Sequence, residues 1–291
     1  MTNLQIIILS ALQGFTEFLP VSSSGHLILL SKFTSFPDQG LEIDIAVHVG
    51  SILAVMIYFY RDILNMCYGL FNALFSRFPA IKNFYLQKSS AQIKEFILNK
   101  LPAANTKLLL MLIVGTVPAV VFGLALHHYG MEWLRNTKII GWNILLFGIL
   151  LWAADHYSLA VRKIDNMTFK DAFLIGLAQC LAMIPGTSRS GITITASRFL
   201  KLERREAAKF CMLLSVPAIA GAGLLVAVEI WQSGNYENLH YALSGIGYSF
   251  IASIAAIFIM MKWLKNYTFL PFVIYRVGLG IFLLLHSYGY I

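Results

Sequence analysis

The sequence predicts an all-α polytopic membrane protein with six transmembrane helices, two re-entrant helical hairpins and an inverted-topology repeat. Composition is the first indication: 58% of the 291 residues are hydrophobic and only 12% are charged, against about 25% charged residues in a typical soluble domain. The mean hydropathy of +0.72 agrees. Long apolar segments, and two interrupted segments that resemble each other, are the second and third indications. The expected solvent is therefore the bilayer.

Six segments are long and apolar enough to span a bilayer, which needs about 20 mostly apolar residues. They are 43–60, 106–126, 138–155, 207–230, 242–264 and 270–290. Two further apolar stretches, 4–31 and 171–200, are each interrupted by a proline and a cluster of small and hydroxyl residues. Irregular backbone at membrane depth is tolerated only inside protein or beside a water-filled cavity. These two stretches are therefore predicted to form re-entrant hairpins.

The two interrupted stretches resemble each other in order and spacing. Gln13 precedes Pro20, and Gln179 precedes Pro185; each proline then leads through hydroxyl residues into Ser-Gly. Corresponding positions lie 165 or 166 residues apart. Interrupted segments at matching places in two halves indicate a binding site at the repeat interface.

Basic residues predict the orientation of the chain. Threading the six spans between the hairpins puts sixteen of the 22 Lys and Arg residues on one face and three on the other. Cytoplasmic loops carry an excess of Lys and Arg, so the basic face is predicted to be cytoplasmic and both termini to lie outside. The two hairpins then meet near the midplane. The prediction is one membrane domain, 1–291, with repeats over about 1–155 and 171–291.

The net charge of +8 belongs mostly to loops, so membrane lipid is the expected partner and nucleic acid is not. Within the predicted loop 61–107, residues 93–101 have one apolar face flanked by Lys94 and Lys100. A short helix lying on anionic headgroups is predicted there. Small residues also permit close helix approach, either within the chain or in a homodimer. These residues are Gly221, Gly223, Gly245 and Gly247.

Charged side chains inside the interrupted stretches are the first candidate site residues. A carboxylate such as Glu17 costs roughly 2.5–3.5 kcal/mol within an apolar segment, so it needs a partner or a function. Arg189 keeps its proton and requires an anion. Between Ser188 and Ser190 it would suit a phosphate, although a salt bridge to Glu17 alone would also satisfy it. His26 follows three serines and can act as an acid, a base or a nucleophile.

Clustered donors around these residues complete the predicted site. A lone hydroxyl in a membrane helix often bonds only the carbonyl one turn back, whereas a cluster after a proline groups hydroxyl and amide donors. The predicted substrate-binding residues are Ser22, Ser24, Gly186, Thr187, Ser188, Ser190 and Thr193. Arg276 is a candidate for supporting the site. Arg198 is interpreted as reaching toward the basic loop, and His48 receives no site role.

Two motifs in these stretches resemble those of the undecaprenyl pyrophosphate phosphatase family, also called bacitracin-resistance proteins. Residues 13–26 read Gln-Gly-Phe-Thr-Glu-Phe-Leu-Pro-Val-Ser-Ser-Ser-Gly-His, and residues 185–193 read Pro-Gly-Thr-Ser-Arg-Ser-Gly-Ile-Thr. The resemblance covers essentially the whole chain, including Pro-Phe-Val-Ile-Tyr-Arg at 271–276. It implies hydrolysis of undecaprenyl pyrophosphate to the monophosphate in a bacterial plasma membrane. It also implies recycling of the carrier lipid and bacitracin resistance.

The resemblance further implies a divalent cation, Mg²⁺ or Ca²⁺, and a site that opens to the outer, periplasmic face. Gln13 stands where many family members have Glu, so the expected metal residues are Glu17 and Gln13, with a single carboxylate. The expected catalytic residues are Glu17, Ser23, His26 and Arg189. Ser23 is the favoured nucleophile, with His26 or Glu17 as its base. Direct attack by His26, or water activated by His26, is the alternative.

A transporter is the rival class that the same features allow. Inverted repeats with broken helices are common in carriers, and Arg189 could bind an anionic substrate during alternating access. Such a carrier would bind a lipid phosphate without releasing phosphate. A combined phosphatase and flippase also fits the sequence. A purely structural subunit does not explain Glu17, His26 and Arg189 together.

Overall fold

A computed structural model describes residues 2–34, 40–76, 106–127, 134, 136–233 and 239–290. Within these ranges the chain is helical with no β-strand; one isolated bridge joins Arg162 to Leu202. The α-helices there are α1 (Asn3–Phe18), α2 (Ser23–Phe33), α3 (Gly40–Tyr58), α4 (Tyr60–Ser76), α5 (Thr106–His127), α6 (Thr137–Tyr157), α7 (Phe169–Cys180), α8 (Arg189–Phe199), α9 (Arg204–Ser233), α10 (Leu239–Trp263) and α11 (Leu270–Ser287). The predicted all-α class is confirmed.

Four helices in the described part of the chain are long and apolar enough to cross a membrane, namely α5, α6, α10 and α11. They coincide with four of the six predicted spans. A fifth candidate is the pair formed by α3 and α4, which is bent by 81° at Phe59. The predicted span 207–230 falls within α9, a 30-residue helix. A membrane protein with four or five candidate spans is the architecture that these helices establish.

The predicted loop 61–107 begins with a helix, because α4 occupies Tyr60–Ser76. One face of α4 is apolar and packs against α5, with Met66 buried in the core. One turn before Met66, the Asp62 carboxylate accepts a hydrogen bond from Lys209 Nζ at 2.6 Å. Contacts with neighbouring helices therefore stabilise α4, although its charged residues make it hard to recognise from the sequence. The surface helix predicted over 93–101 lies outside the described residues.

The two interrupted pairs, α1–α2 and α7–α8, occupy equivalent positions in the packing. Helix α1 packs against α10, and α7 packs against α5. Helix α10 in turn packs against α3, as α5 does against α9, while α6 and α11 pair with each other. The main core includes Phe18 at the end of α1 and Ile194 in α8. Both interruptions are therefore held inside the helical assembly.

Glycines allow the interrupted helices to approach their neighbours at backbone distance. A Cβ atom added at Gly14 would lie 2.7 Å from the carbonyl oxygen of Ser249 in α10. At Gly176 it would lie 2.3 Å from the carbonyl oxygen of Gly115 in α5. Cβ atoms essentially never lie this close to other heavy atoms, so a larger residue at either position must push the helices apart.

Replacement of Gly176 by alanine is expected to destabilise the protein by about 1–3 kcal/mol, as overpacking of a filled interior does. The thermal midpoint of the purified protein in detergent measures this effect. The control is Gly247→Ala, because a Cβ there meets no described atom within 4 Å. Equal midpoints for the two variants would contradict the close contact of α7 with α5.

The glycines considered for helix approach fall into two groups. Gly223 faces Val49, and Gly245 faces Val47, with distances of 3.3 Å from the added Cβ in both cases. These two serve packing within the chain. Gly221 and Gly247 meet no described atom within 4 Å, so the homodimer stays a prediction.

Arg198 reaches the backbone of the basic loops, at Leu202 and Ser158, but it does not reach solvent: the residue is fully buried. Its Nε donates to Asp155 Oδ1 at 3.0 Å, and its other nitrogens reach backbone carbonyls. Arg204 Nε donates to the same oxygen at 2.8 Å, and the Phe269 amide donates to Oδ2 at 3.1 Å. A buried ion keeps its charge when it is paired and hydrogen-bonded. Asp155 therefore ties α6, α8, α9 and the start of α11 together.

Candidate active site

Both interrupted stretches turn at a serine with an unusual backbone conformation. Ser22 and Ser188 have φ angles of 76° and 72°, in a region that non-glycine residues seldom adopt. Each is the N-cap of the following helix, and its hydroxyl oxygen accepts a hydrogen bond from the amide of Gly25 or Gly191. The two serines lie 166 residues apart. Such backbone strain clusters at functional sites.

Glu17 and Arg189 form an ion pair that joins the two interrupted stretches. Arg189 Nη2 donates to Glu17 Oε1. The other carboxylate oxygen accepts hydrogen bonds from Ser23 Oγ at 2.6 Å and from Gln13 Nε2 at 2.8 Å. His48 Nε2 lies 3.5 Å from this second oxygen. One buried carboxylate thus gathers side chains from α1, α2, α3 and α8.

Three buried polar atoms near this centre have no hydrogen-bond partner among the described residues. They are Gln13 Oε1, Thr187 Oγ1 and Arg189 Nη1. Buried polar groups are nearly always hydrogen-bonded in native proteins, so an exception deserves a functional explanation. Arg189 Nη1 is a donor, the Thr187 hydroxyl can donate or accept, and Gln13 Oε1 is an acceptor. Together these three atoms can bind an anion and, next to it, a cation.

Two helices begin at this centre, α2 at Ser23 and α8 at Arg189. The first amide groups of a helix have no intrahelical acceptor, and the N-terminus carries a partial positive charge. Helix N-termini bind phosphate for these reasons. Ser24, in the first turn of α2, is exposed and can supply a further hydroxyl. The combination with Arg189 makes the centre suited to a phosphate group.

Arg276 connects the turns of both interrupted stretches. It is fully buried, and its guanidinium donates to the carbonyl oxygens of Pro20 at 3.3 Å, Gly186 at 3.1 Å and Thr187 at 3.0 Å. Gly191 makes room for it, since a Cβ there would lie 2.6 Å from Arg276 Nη1. In the described part of the chain Arg276 forms no salt bridge, so its positive charge adds to the anion-attracting field.

His26 is hydrogen-bonded at both ring nitrogens. Its Nδ1 lies 2.7 Å from the Ser22 carbonyl oxygen and must therefore carry the proton. Its Nε2 lies 2.5 Å from Tyr275 Oη, which then donates to it. The Ser23 hydroxyl, in contrast, donates to Glu17. The geometry thus favours Glu17 over His26 as a base for Ser23, and it adds Tyr275 to the candidate residues.

Two of the hydroxyl groups predicted to bind substrate donate hydrogen bonds within the protein. Ser190 Oγ donates to the Leu19 carbonyl at 2.9 Å, which ties the start of α8 to the end of α1. Thr193 Oγ1 donates to the Arg189 carbonyl at 2.8 Å and lies 2.8 Å from Cys211 Sγ. Both residues are buried. Their hydroxyls position the turn and α8, and direct contact with substrate stays a prediction for them.

His48 is a site residue without any motif in the sequence around it. Its Nδ1 lies 2.6 Å from the Asp44 carbonyl oxygen one turn back, which directs Nε2 toward Glu17. Packing of α3 against α1 creates this contact. The available signal was chemical, because an ionisable residue inside a membrane segment is a functional candidate by default.

The helices and this centre define a class: a membrane protein, helical throughout its described residues, with a candidate anion site between two interrupted helix pairs. The family model described as bacitracin resistance protein BacA matches residues 6–282, and the chain belongs to this family. Similar proteins include the undecaprenyl-diphosphatases of Roseobacter denitrificans and Erythrobacter litoralis. The first is 41% identical over 99% of this chain and 100% of its own length. The second is 39% identical over 98% and 99%.

Proposed function

We propose that this chain is an undecaprenyl-diphosphatase, which hydrolyses undecaprenyl pyrophosphate to undecaprenyl phosphate and inorganic phosphate. The observation that carries the proposal is the buried, unpartnered Nη1 of Arg189, beside the Ser23 hydroxyl and the N-termini of two helices. Membership of the family and the names of the relatives support it. Hydrolysis returns the carrier lipid to cell-wall synthesis and confers resistance to bacitracin.

The diphosphate binds between the N-termini of α2 and α8, and the prenyl tail lies among the spanning helices. Arg189 keeps one nitrogen on Glu17 and donates with Nη1 to a phosphoryl oxygen. Thr187 Oγ1 and the first amides of both helices supply further donors. Arg276, held by carbonyl oxygens, contributes positive potential that no carboxylate among the described residues offsets through a salt bridge. Phosphoryl transfer depends mostly on such positioning and charge neutralisation.

Ser23 is the nucleophile that the contacts favour. As its Oγ attacks the terminal phosphorus, the proton passes to Glu17 Oε2, 2.6 Å away. The bond from that phosphorus to the bridging oxygen breaks, and undecaprenyl phosphate leaves with the bond's electron pair. Water then hydrolyses the phosphoserine, which releases inorganic phosphate and restores the Ser23 hydroxyl. His26, engaged by Ser22 and Tyr275, positions the first turn of α2.

The donor set at the centre fits a divalent cation shared with the substrate. Within the described ranges no group of three or more His, Cys, Asp and Glu residues could hold a metal alone. Glu17 and the unpartnered Gln13 Oε1 are oxygen ligands, and Mg²⁺ is commonly held by one or two carboxylates together with substrate phosphates. Such a cation would neutralise charge on the diphosphate. Mg²⁺ or Ca²⁺ is the proposed cofactor.

The proposed topology has six spans, two re-entrant hairpins and inverted repeats over about 1–155 and 171–291. The matching strained caps at Ser22 and Ser188 support the repeat. So does the equivalent packing of α1 on α10 and of α7 on α5. We infer that both termini lie outside the plasma membrane and that the site opens to the outer face. Labelling of single cysteines near the termini by an impermeant reagent in intact cells tests this orientation.

Phosphate release from undecaprenyl pyrophosphate by the purified protein in detergent is the direct test of the function. With Mg²⁺ present, release of one phosphate per substrate is expected. With EDTA, release is expected to stop. Folded protein that binds the lipid diphosphate yet releases no phosphate under either condition would overturn the phosphatase and favour the carrier.

Substitution of Tyr275 by phenylalanine is expected to lower kcat about tenfold, which corresponds to the loss of a hydrogen bond worth ~1.4 kcal/mol. KM is expected to change little, because the phosphate donors are intact. Initial rates of phosphate release measure both constants. Tyr248→Phe, at an exposed position of α10, is the control. A kcat equal to that of the parent would show that the Tyr275 hydroxyl does not contribute to turnover.

A further inference from the structure

A cleft between α6 and α11 lies apart from the candidate active site. Its apolar part is a cavity of about 460 Å³, lined by residues that include Ile149, Trp152, Leu270, Ile274 and Val277. No residue assigned to catalysis or phosphate binding lines it. The lining runs from Leu270 to Gly278 along α11, a rise of about 12 Å at 1.5 Å per residue. An extended hydrocarbon chain lying along this part of α11 would contact the same residues.

A polar cavity of about 190 Å³ adjoins the apolar one and shares Trp152 and Leu270 with it. Asp155, His156 and Arg204 line this second cavity. Arg204 uses Nε to bind Asp155 and leaves 31% of its side chain exposed. Its Nη2 donates to the Asp155 carbonyl oxygen at 3.5 Å, so Nη1 is the nitrogen that can reach a ligand in the cavity.

The charges around the polar cavity leave a positive excess. Arg198 and Arg204 both bind Asp155, so two guanidinium groups face a single carboxylate. Such a pocket attracts a singly charged anion. Guanidinium groups form strong, charge-assisted hydrogen bonds with phosphate.

Aromatic side chains indicate the depth of the polar cavity in the bilayer. Trp152 stacks on His156 at 5.4 Å, and Tyr157 contacts both rings edge-on. Trp263 stacks on Tyr267 at 4.4 Å near the start of α11. Trp and Tyr concentrate where the bilayer meets water, so the polar cavity lies at headgroup depth and the apolar cavity extends into the hydrocarbon. This end of the helices also carries the basic loops.

We propose that the cleft binds an anionic glycerophospholipid of the cytoplasmic leaflet, with its phosphate at Arg204 and one acyl chain along α11. A phosphate beside a hydrocarbon chain matches the polar cavity beside the apolar one. Basic pockets between membrane helices on the cytoplasmic side bind anionic lipid headgroups in this way. The site is additional to the hydrolysis of the lipid diphosphate and does not depend on it.

Two variants test the two parts of the cleft separately, each with a matched control. Arg204→Gln removes the guanidinium that faces the cavity, and Arg205→Gln makes the same charge change at the exposed neighbour. Gly278→Leu fills the apolar cavity, because an added Cβ at Gly278 meets no described atom within 4 Å. Gly247→Leu enlarges an equally open position on α10. Gly278→Leu leaves the ion cluster intact, so it remains informative if Arg204→Gln lowers stability.

The measurement is native mass spectrometry of the full chain in detergent, titrated with phosphatidylglycerol or with phosphatidylcholine of the same acyl chains. One tightly retained phosphatidylglycerol is expected. Arg204→Gln is expected to weaken retention about fivefold, equivalent to ~1 kcal/mol, and Gly278→Leu at least as much. Arg205→Gln and Gly247→Leu are expected to bind like the parent.

Several results would overturn the proposal. Equal retention of phosphatidylcholine would show that the anionic headgroup is not recognised. Unchanged binding in both Arg204→Gln and Gly278→Leu would show that the cleft is not the binding site. Displacement of phosphatidylglycerol by equimolar undecaprenyl phosphate would assign the cleft to the prenyl tail. Displacement by millimolar inorganic phosphate would assign it to a soluble anion.

Discussion

Arg189→Ala is expected to lower kcat/KM for undecaprenyl pyrophosphate by at least about 10³-fold, the smallest effect typical of an arginine that stabilises a phosphoryl-transfer transition state. The loss has two causes. The buried Nη1 no longer binds the phosphoryl group, and Glu17 loses the partner that binds its Oε1. Phosphate release at saturating and subsaturating substrate measures the effect.

The alanine variant also leaves a buried carboxylate without its cation, which costs about 3–5 kcal/mol of stability. Arg189→Lys separates this structural cost from catalysis. A lysine can pair with Glu17, but it has a single nitrogen in place of the planar fork. We therefore expect Arg189→Lys to unfold near the parent's thermal midpoint and still to lose most of its turnover. A folded lysine variant with parental kcat would show that the second nitrogen has no catalytic role.

The central contacts of the site follow from local signals in the sequence. Pro20 and Pro185 follow the ends of α1 and α7, and serines after these prolines cap the next helices. Glu17 and Arg189 are ions inside apolar segments, so they must have partners, and pairing with each other satisfies both. Sequence reasoning could thus bring the two interrupted stretches together, because each contains half of a charge pair.

The remaining contacts depend on packing that no local pattern encodes. Arg198 looks like a terminal residue that could reach solvent, whereas its partner Asp155 belongs to a different helix. His48 reaches Glu17 only because α3 packs on α1. The 81° bend between α3 and α4 comes at Phe59, where neither proline nor glycine marks it. All three features depend on residues that are far apart in the chain, and a single sequence does not show which of these residues lie close together in space.

Ser23→Ala is expected to lower kcat by at least about 10³-fold, because it removes the attacking oxygen and the hydrogen bond to Glu17 together. Binding of the lipid diphosphate should change little, since Arg189 and the helix N-termini are unaltered. Ser31→Ala is the control on the same helix, because the Ser31 hydroxyl donates to the Ile28 carbonyl one turn back. Steady-state phosphate release and equilibrium binding of the substrate give the two quantities.

The chemistry of the trapped intermediate distinguishes Ser23 from the other nucleophiles. Substrate labelled in its terminal phosphate, quenched within one turnover, is expected to leave an acid-stable phosphoserine at Ser23 in the parent and no label in Ser23→Ala. An acid-labile phosphohistidine that persists in Ser23→Ala would identify His26 as the nucleophile. No covalent label in the parent, with substantial turnover left in Ser23→Ala, would identify water as the attacking group. Because Ser23 Oγ already donates to Glu17 at 2.6 Å, while both His26 nitrogens are engaged, the phosphoserine is the outcome that this geometry favours.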